Sequence, residues 1–349
     1  MGGFLTFTGL VAYVTLIVGM LAPKHQEPLP ASQPFSPRSF RLLAVGDINL
    51  GRTVGQRILA GDTLYPFRYV RDELIQYDLV FGNLECQLSD QGGETQHPVN
   101  NLIFTGPPAG AAALALGGIG VVSTANNHAL DYGIDALDET LGNLSDAGIS
   151  AAGTGSEAME RFRPALLNIG GVRIALFACT DIMNIEDRMW TSYVAEADTA
   201  ILFPRIRQIR GQVDIVILSY HGGHEYASRP TERTRRFARG AVDAGVDLFL
   251  GHHPHVPQEI EERGNGVIAY SLGNFVFRQP FDYWTRRSFA LEVLFHGEDD
   301  AMNIRSYHVR PVEAGDQPRF LSSSEAYSMV HTRTKPAGTR RKDAESWYD

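Results

Sequence analysis

The sequence predicts an α/β fold around a largely parallel sheet, and two observations predict it. Short, continuous apolar runs alternate with amphipathic helical patterns, and the polar, chemistry-bearing residues fall directly after those runs. Unbroken apolar character suits strands buried on both faces. Strand–helix alternation is the pattern of a sheet covered by helices.

Strands are expected at 41–45, 78–82, 119–124, 172–178, 214–220, 246–250, 267–271 and 289–295. A helix is expected over 133–147, where Ile134, Leu137, Leu141 and Leu144 form one stripe before Gly148. Another is expected over 231–244, with Phe237, Ala241 and Ala244 inward, Arg233, Arg236 and Arg239 outward, and Gly245 as its stop. The strands between 267 and 313 have no helices between them and are expected to pair antiparallel.

The ends differ in composition from this core. Residues 4–22 carry no charge and are about long enough to cross a bilayer at roughly 1.5 Å per residue. No basic residue precedes them and Pro23 follows at once, which favours an uncleaved anchor over a cleaved signal peptide. Residues 23–39 are rich in proline and read as an extended linker. The folded domain is expected over 40–313, and 314–349 as a mobile tail. A net charge of −9 provides no basic field for nucleic acid. The two cysteines, Cys86 and Cys179, exclude a disulfide framework and read as buried thiols before they read as one bridge.

Six polar clusters follow the carboxyl ends of apolar runs. They hold Asp47, Asn49 and Arg52; Asn83 and Glu85; Asn126, Asn127, His128 and Asp131; His221, His224 and Glu225; His252, His253 and His255; and Asn274. In a parallel α/β sheet those ends open onto one crevice. Singly, each has an ordinary structural explanation: Asp47 as a cap, Glu85 as a solvated charge, His221 as a satisfied core histidine. Together they are oxygen and nitrogen donors suited to divalent Mn, Fe, Zn or Mg. Such a set suits two metals about 3.5–4 Å apart, which lower the pKa of bound water. Pro254 favours an extended His253, so that His253 and His255 would point one way and His252 another.

In this order, "GDINLGR", "GNLE", "NNHALDYG", "HGGHEY", "GHHPHV" and "YSLGNFVF" resemble the bacterial capsule synthesis protein CapA (PgsA) family of poly-γ-glutamate synthesis. The resemblance spans about 40–313. It implies a four-layer α/β sandwich of the calcineurin-like metallophosphoesterase type, holding two divalent ions. Carried over by motif, Asp47 and Asn49 would bind the first metal and Glu85 would bridge. Asn127 and His221 would bind the second, and His253 and His255 would form the terminal histidine pair, with His252 an alternative first member of it. His128 would be the general acid, Asp131 its orienting carboxylate, and Arg52 a clamp on an anionic group. His252, Glu225 and Asn274 are expected beside the ligands. Asn49 stands where phosphoesterases place a histidine, and Glu85 where they place an aspartate.

The resemblance implies a single-pass protein of the bacterial cell membrane with its folded domain outside the cytoplasm. It would be either a metal-dependent hydrolase of a phosphoester or a non-catalytic, metal-containing subunit of an anionic polymer synthase or export complex. Its partners would be the membrane, an anionic polymer or phosphoester, and other synthase subunits, with no nucleic acid.

Overall fold

Along the first strand, Phe40, Leu42 and Ala44 join one buried cluster while Leu43 and Val45 join another. A period of two with both faces apolar makes a central strand, covered above and below. The computed structural model describes residues 39–157, 159–298 and 301–325. The expected anchor (1–22) and the expected linker (23–39), apart from Ser39, which opens the first strand, lie outside the described residues, and among those described no helix is long and apolar enough to cross a membrane.

In chain order the strands are β1 (Ser39–Ile48), β2 (Leu79–Leu84), β3 (Gln87–Leu88), β4 (Thr105–Gly106), β5 (Val121–Ser123), β6 (Ser150–Ala152), β7 (Ala165–Ile169) and β8 (Val172–Thr180). They continue with β9 (Ile215–His221), β10 (Leu248–His252), β11 (Ile260–Arg263), β12 (Gly266–Ala269), β13 (Asn274–Val276), β14 (Arg287–Glu298), β15 (Ala301–Glu313) and β16 (Arg319–Phe320). The α-helices are α1 (Arg52–Leu59), α2 (Arg71–Leu74), α3 (Gly110–Gly117), α4 (Gly133–Asp146), α5 (Thr199–Arg210) and α6 (Glu232–Ala244).

Two sheets form. One runs β16–β15–β14–β1–β2–β5–β6 with β13 also on β1; the other runs β11–β12–β10–β9–β8–β7. Their facing residues make the inter-sheet core: Leu42, Phe81, Val121 and Leu291 from the first sheet, and Leu176, Ile217 and Leu250 from the second. Behind the first sheet, Val54 and Ile58 of α1, Leu74 of α2 and Leu114 of α3 bury against Leu43, Val80 and Val122. Behind the second, Tyr220 and Phe249 meet Phe237 of α6, which meets Phe203 of α5. The layering is therefore helix–sheet–sheet–helix, four layers, as expected.

Helix α6 forms where its sequence says it should. Thr231 Oγ1 accepts from the Thr234 N–H, and Gly245 at φ 117° ends the helix, a backbone angle that costs glycine little. In α4 the apolar stripe is shorter than expected: Leu137 and Leu144 are buried, but Ile134 lies in the first turn, beyond the core edge, and is exposed.

Two expectations are corrected. Residues 267–313 do not pair antiparallel throughout, because β12 lies parallel to β10 and β13 parallel to β1. The chain crosses from one sheet to the other between them, so no hairpin joins them; only β14 and β15 form the long antiparallel pair. The domain also continues past 313. Ala314 N–H donates to Arg286 O, Gln317 Nε2 to Tyr65 O, and β16 adds to β15 with Phe320 beside Phe275.

Candidate metal centre

The strand registers bring the polar clusters together. In the first sheet Asp47 pairs with Asn83 on one side and Asn274 on the other; in the second, His221 lies beside His252. Gly46 and Gly251 make this possible. A Cβ on Gly46 would stand 1.8 Å from Gly273 O, and one on Gly251 would stand 1.9 Å from Tyr270 O. Only glycine lets the backbone that carries Asn274 pass so close to the residues preceding Asp47 and His252.

Asp47, Glu85 and His255 each offer one ligand atom, all within 4.8 Å of one another, and all three residues are buried. His252 Nδ1 is 3.1 Å from Asp47 Oδ1. His255 Nδ1 lies 3.2 Å from Asp47 Oδ2, without hydrogen-bond alignment, and His255 Nε2 is 3.7 Å from Glu85 Oε1. Asn274 fixes this ring: its Nδ2 donates to Thr285 O, so its Oδ1 accepts from His255 Nδ1 at 2.9 Å and Nε2 is left facing Glu85. Asn274 thus stands beside His255.

The second half of the centre adjoins the first. His221 Nε2 is 2.7 Å from Asn127 Oδ1, and the His221 and His253 rings meet at 4.9 Å. His128 Nδ1–H donates to Asp131 Oδ2 at 2.7 Å, and His128 Nε2 faces Glu85 Oε1 at 3.8 Å. The same Asp131 oxygen accepts the Phe104 N–H, and the Phe104 ring stacks on His128 at 4.0 Å. Arg52 lies 4.7 Å over that phenyl ring and donates to Asn101 O. Glu225 is exposed and adds a negative field at Glu85 and His255.

The electrostatics call for a cation. Burial, and then the charge of Asp47, push the Glu85 carboxyl well above its ordinary range. Burial would also raise Asp47, but the imidazoles of His252 and His255 outweigh it and hold that carboxyl well below. Burial would lower His255; the nearby Glu85 and Asp47 carboxylates outweigh it and push it up to about 9. His221 and His253 go the other way, neutralised by burial and by neighbouring imidazoles, His253 down to about 3. Four buried atoms here have no hydrogen-bond partner: Asp47 Oδ2, Glu85 Oε1, His252 Nε2 and His253 Nδ1. Orphaned carboxylate and imidazole atoms converging on one buried place are the donor set that a divalent cation satisfies. The residues present therefore fit such an ion.

Three sequence expectations fare differently. Asn49, expected as a ligand, has its oxygen engaged elsewhere: Oδ1 accepts the Gly51 N–H at 2.8 Å, closing the turn before α1. His253 is not extended; it adopts φ 93° and His255 φ 58°, so left-handed turns send His255 to Asp47 and His253 to His221. His252 does not point elsewhere but bonds Asp47 from the end of β10. Asn83 shares a polar cluster with Glu85, and neither its type nor its spacing assigns it a role. The structure places it at the middle, fully buried, its Nδ2 2.9 Å from Asp47 Oδ1. An asparagine two residues before a candidate ligand was the one signal in the sequence.

Residues 41–279 match the family described as bacterial capsule synthesis protein PGA_cap, a span enclosing every centre residue from Asp47 to Asn274. The chain belongs to that capsule synthesis family. The PGA biosynthesis protein CapA of Bacillus subtilis (strain 168) is 32% identical over 333 residues, covering 93% of this chain and 85% of the relative. The capsule biosynthesis protein CapA of Bacillus anthracis is 32% identical over 299 residues, covering 83% and 72%. Among solved structures, the calcineurin-like phosphoesterase YfkN from Bacillus subtilis superposes with a TM-score of 0.47 at 13% identity, covering 79% of this chain and 91% of that one. For this capsule synthesis family member, the resemblance expected from its six motifs holds.

Proposed function

We propose that this chain serves capsule or poly-γ-glutamate biosynthesis, binding divalent metal in its buried centre and hydrolysing a phosphoester there. The observation that carries the reading is the convergence of four partnerless buried donor atoms from Asp47, Glu85, His252 and His253. Asp47, Glu85 and His255, with His252 beside them, would hold one ion; Asn127, His221 and His253, across Glu85, would hold a second. A bound divalent ion supplies Lewis acidity toward an anionic oxygen.

The remaining steps belong to the chain. Asp131 takes the Nδ1–H of His128, which leaves Nε2 as the atom that gives a proton to a departing oxygen. Phe104 covers the imidazole face and keeps the ring in one plane. Arg52, carried beside it on the same phenyl ring, supplies positive charge to an anionic group entering over Glu85. The uncharged 4–22 segment supports attachment to the cell membrane, with the domain on the outer side and other synthase subunits or anionic polymer as partners.

The test is metal analysis of the purified full-length chain together with hydrolysis of bis(p-nitrophenyl) phosphate. At least one ion per chain is expected, and His128→Asn should retain that metal while losing activity by ~10²-fold or more. Activity that survives joint replacement of Asp47 and Glu85 would sink the hydrolase reading.

The engagement of Asn49 in a turn favours a second reading, a metal-containing subunit without catalysis, because it subtracts a donor. Metal-centre variants would then still assemble with membrane partners and support polymer export. Loss of export in a variant that folds and assembles normally counts against this.

A further inference from the structure

At the join between the two halves of the centre stands one neutral side chain. Asn83 is fully buried, and its amide nitrogen lies 2.9 Å from Asp47 Oδ1, 3.4 Å from Glu85 Oε2 and 3.3 Å from His221 Nδ1. A carboxylate oxygen only accepts, so the NH₂ end of the amide faces Asp47 and its orientation is settled by chemistry. That nitrogen carries two protons for three acceptors. Its carbonyl end faces Asn126 Nδ2 at 3.4 Å.

A chain of donors follows. Asn127 Oδ1 can only accept, so His221 Nε2 donates to it at 2.7 Å, and the bare Nδ1 faces Asn83 Nδ2 at 3.3 Å, the nearer of the two contacts left for its second proton. Asn127 Nδ2 in turn donates to Asn184 Oδ1. The Asn83 amide thus meets the bare nitrogen of His221, anchors Asp47 and touches Glu85.

We propose that Asn83 is a positioning residue that couples the two halves of the centre and lets it stand without metal, holding divalent affinity below what a carboxylate at this place would give. This rests on the metal-binding part of the proposed function. Asp47 and Glu85 already bring carboxyl oxygens into one buried site, within 4.8 Å of each other and of His255, and a third carboxylate at 83 would be buried there with no cation to offset it. With a cation present the sign reverses, since each added ligand charge tightens a divalent site.

The test uses the full-length chain stripped with EDTA. In the wild type, ¹⁵N chemical shifts of the His221 ring are expected to show a bare Nδ1 and a protonated Nε2. In Asn83→Ala the Nδ1 shift should move, because that nitrogen loses its donor. Thermal unfolding in EDTA should rank wild type above Asn83→Asp by several degrees, and Mn²⁺ titration by calorimetry should rank them in reverse, with Asn83→Asp tighter by ~10-fold or more. A protonated Nδ1 in the metal-free wild type overturns the proposal without any variant. So does an Asn83→Asp protein with unchanged metal-free stability and unchanged Mn²⁺ affinity. If the wild type binds no Mn²⁺, the metal reading of the centre and the affinity claim fail, while the tautomer and the EDTA stability order still decide the coupling claim.

Discussion

Asp47→Asn is expected to strip the ion held by Asp47, Glu85 and His255 while leaving the fold in place. The amide keeps the volume of the aspartate and an oxygen that can accept from Asn83 Nδ2, so the packing of β1 against β2 and β13 is retained. What is lost is the charge to which His252 and His255 turn. Losing a partner outside the ligand set commonly costs ~10–100-fold in metal affinity, and a ligand carboxylate costs more. Divalent affinity at the Asp47, Glu85 and His255 end of the centre should therefore fall by roughly 100-fold or more, and the metal content of the purified variant should drop below the wild-type value at limiting metal supply. Phosphodiester hydrolysis should fall with it. Elemental analysis and the hydrolysis assay on one preparation read both, and a variant with wild-type metal content refutes the role given to Asp47.

Gly251→Ala should have a large effect on stability. The added carbon would meet Tyr270 O at 1.9 Å and Tyr270 C at 2.5 Å, both backbone atoms that no rotamer change can move aside. The end of β10 and the loop before β13 would have to separate, carrying His252 away from Asp47. A loss on the order of 4 kcal/mol or more is expected, which is roughly a 10 °C fall in Tm for a domain of this size. Gly142→Ala is the control. Nothing lies within 4 Å of its added carbon, and it is inside α4, so it should stabilise the protein by about 0.5–1 kcal/mol. Calorimetry on both variants separates steric exclusion from a general intolerance of alanine.

The parts of this protein legible in its sequence are those where one physical demand dominates. Fully buried strands announce themselves as unbroken apolar runs, and all eight runs are strands. β15 does not, because its sequence alternates polar and apolar residues and contains Pro311, and it was missed. β16 reads in the sequence as part of a mobile tail because two residues around Phe320 carry no periodic signal; Phe320 is placed by long-range packing on Phe275.

The same division holds in the centre. Asp47, Glu85 and His255 were legible because strand ends bring polar side chains to one edge. The division of labour among His252, His253 and His255 was not. Pro254 favours an extended predecessor, yet His253 adopts φ 93°, so the tertiary pull of the buried carboxylates overrides the local bias. Asn49 and Asn83 exchanged importance for a related reason. A local turn uses the first, whereas only the pairing of β1 with β2 puts the second beside Asp47.

The central claim is that a divalent cation occupies the space bounded by Asp47, Glu85 and His255. Anomalous X-ray scattering from crystals of the protein grown with Mn²⁺ addresses it most directly. The account predicts a strong peak in contact with all three side chains. Crystals that show the three residues ordered, with no peak between them or with the manganese bound only elsewhere, would contradict it.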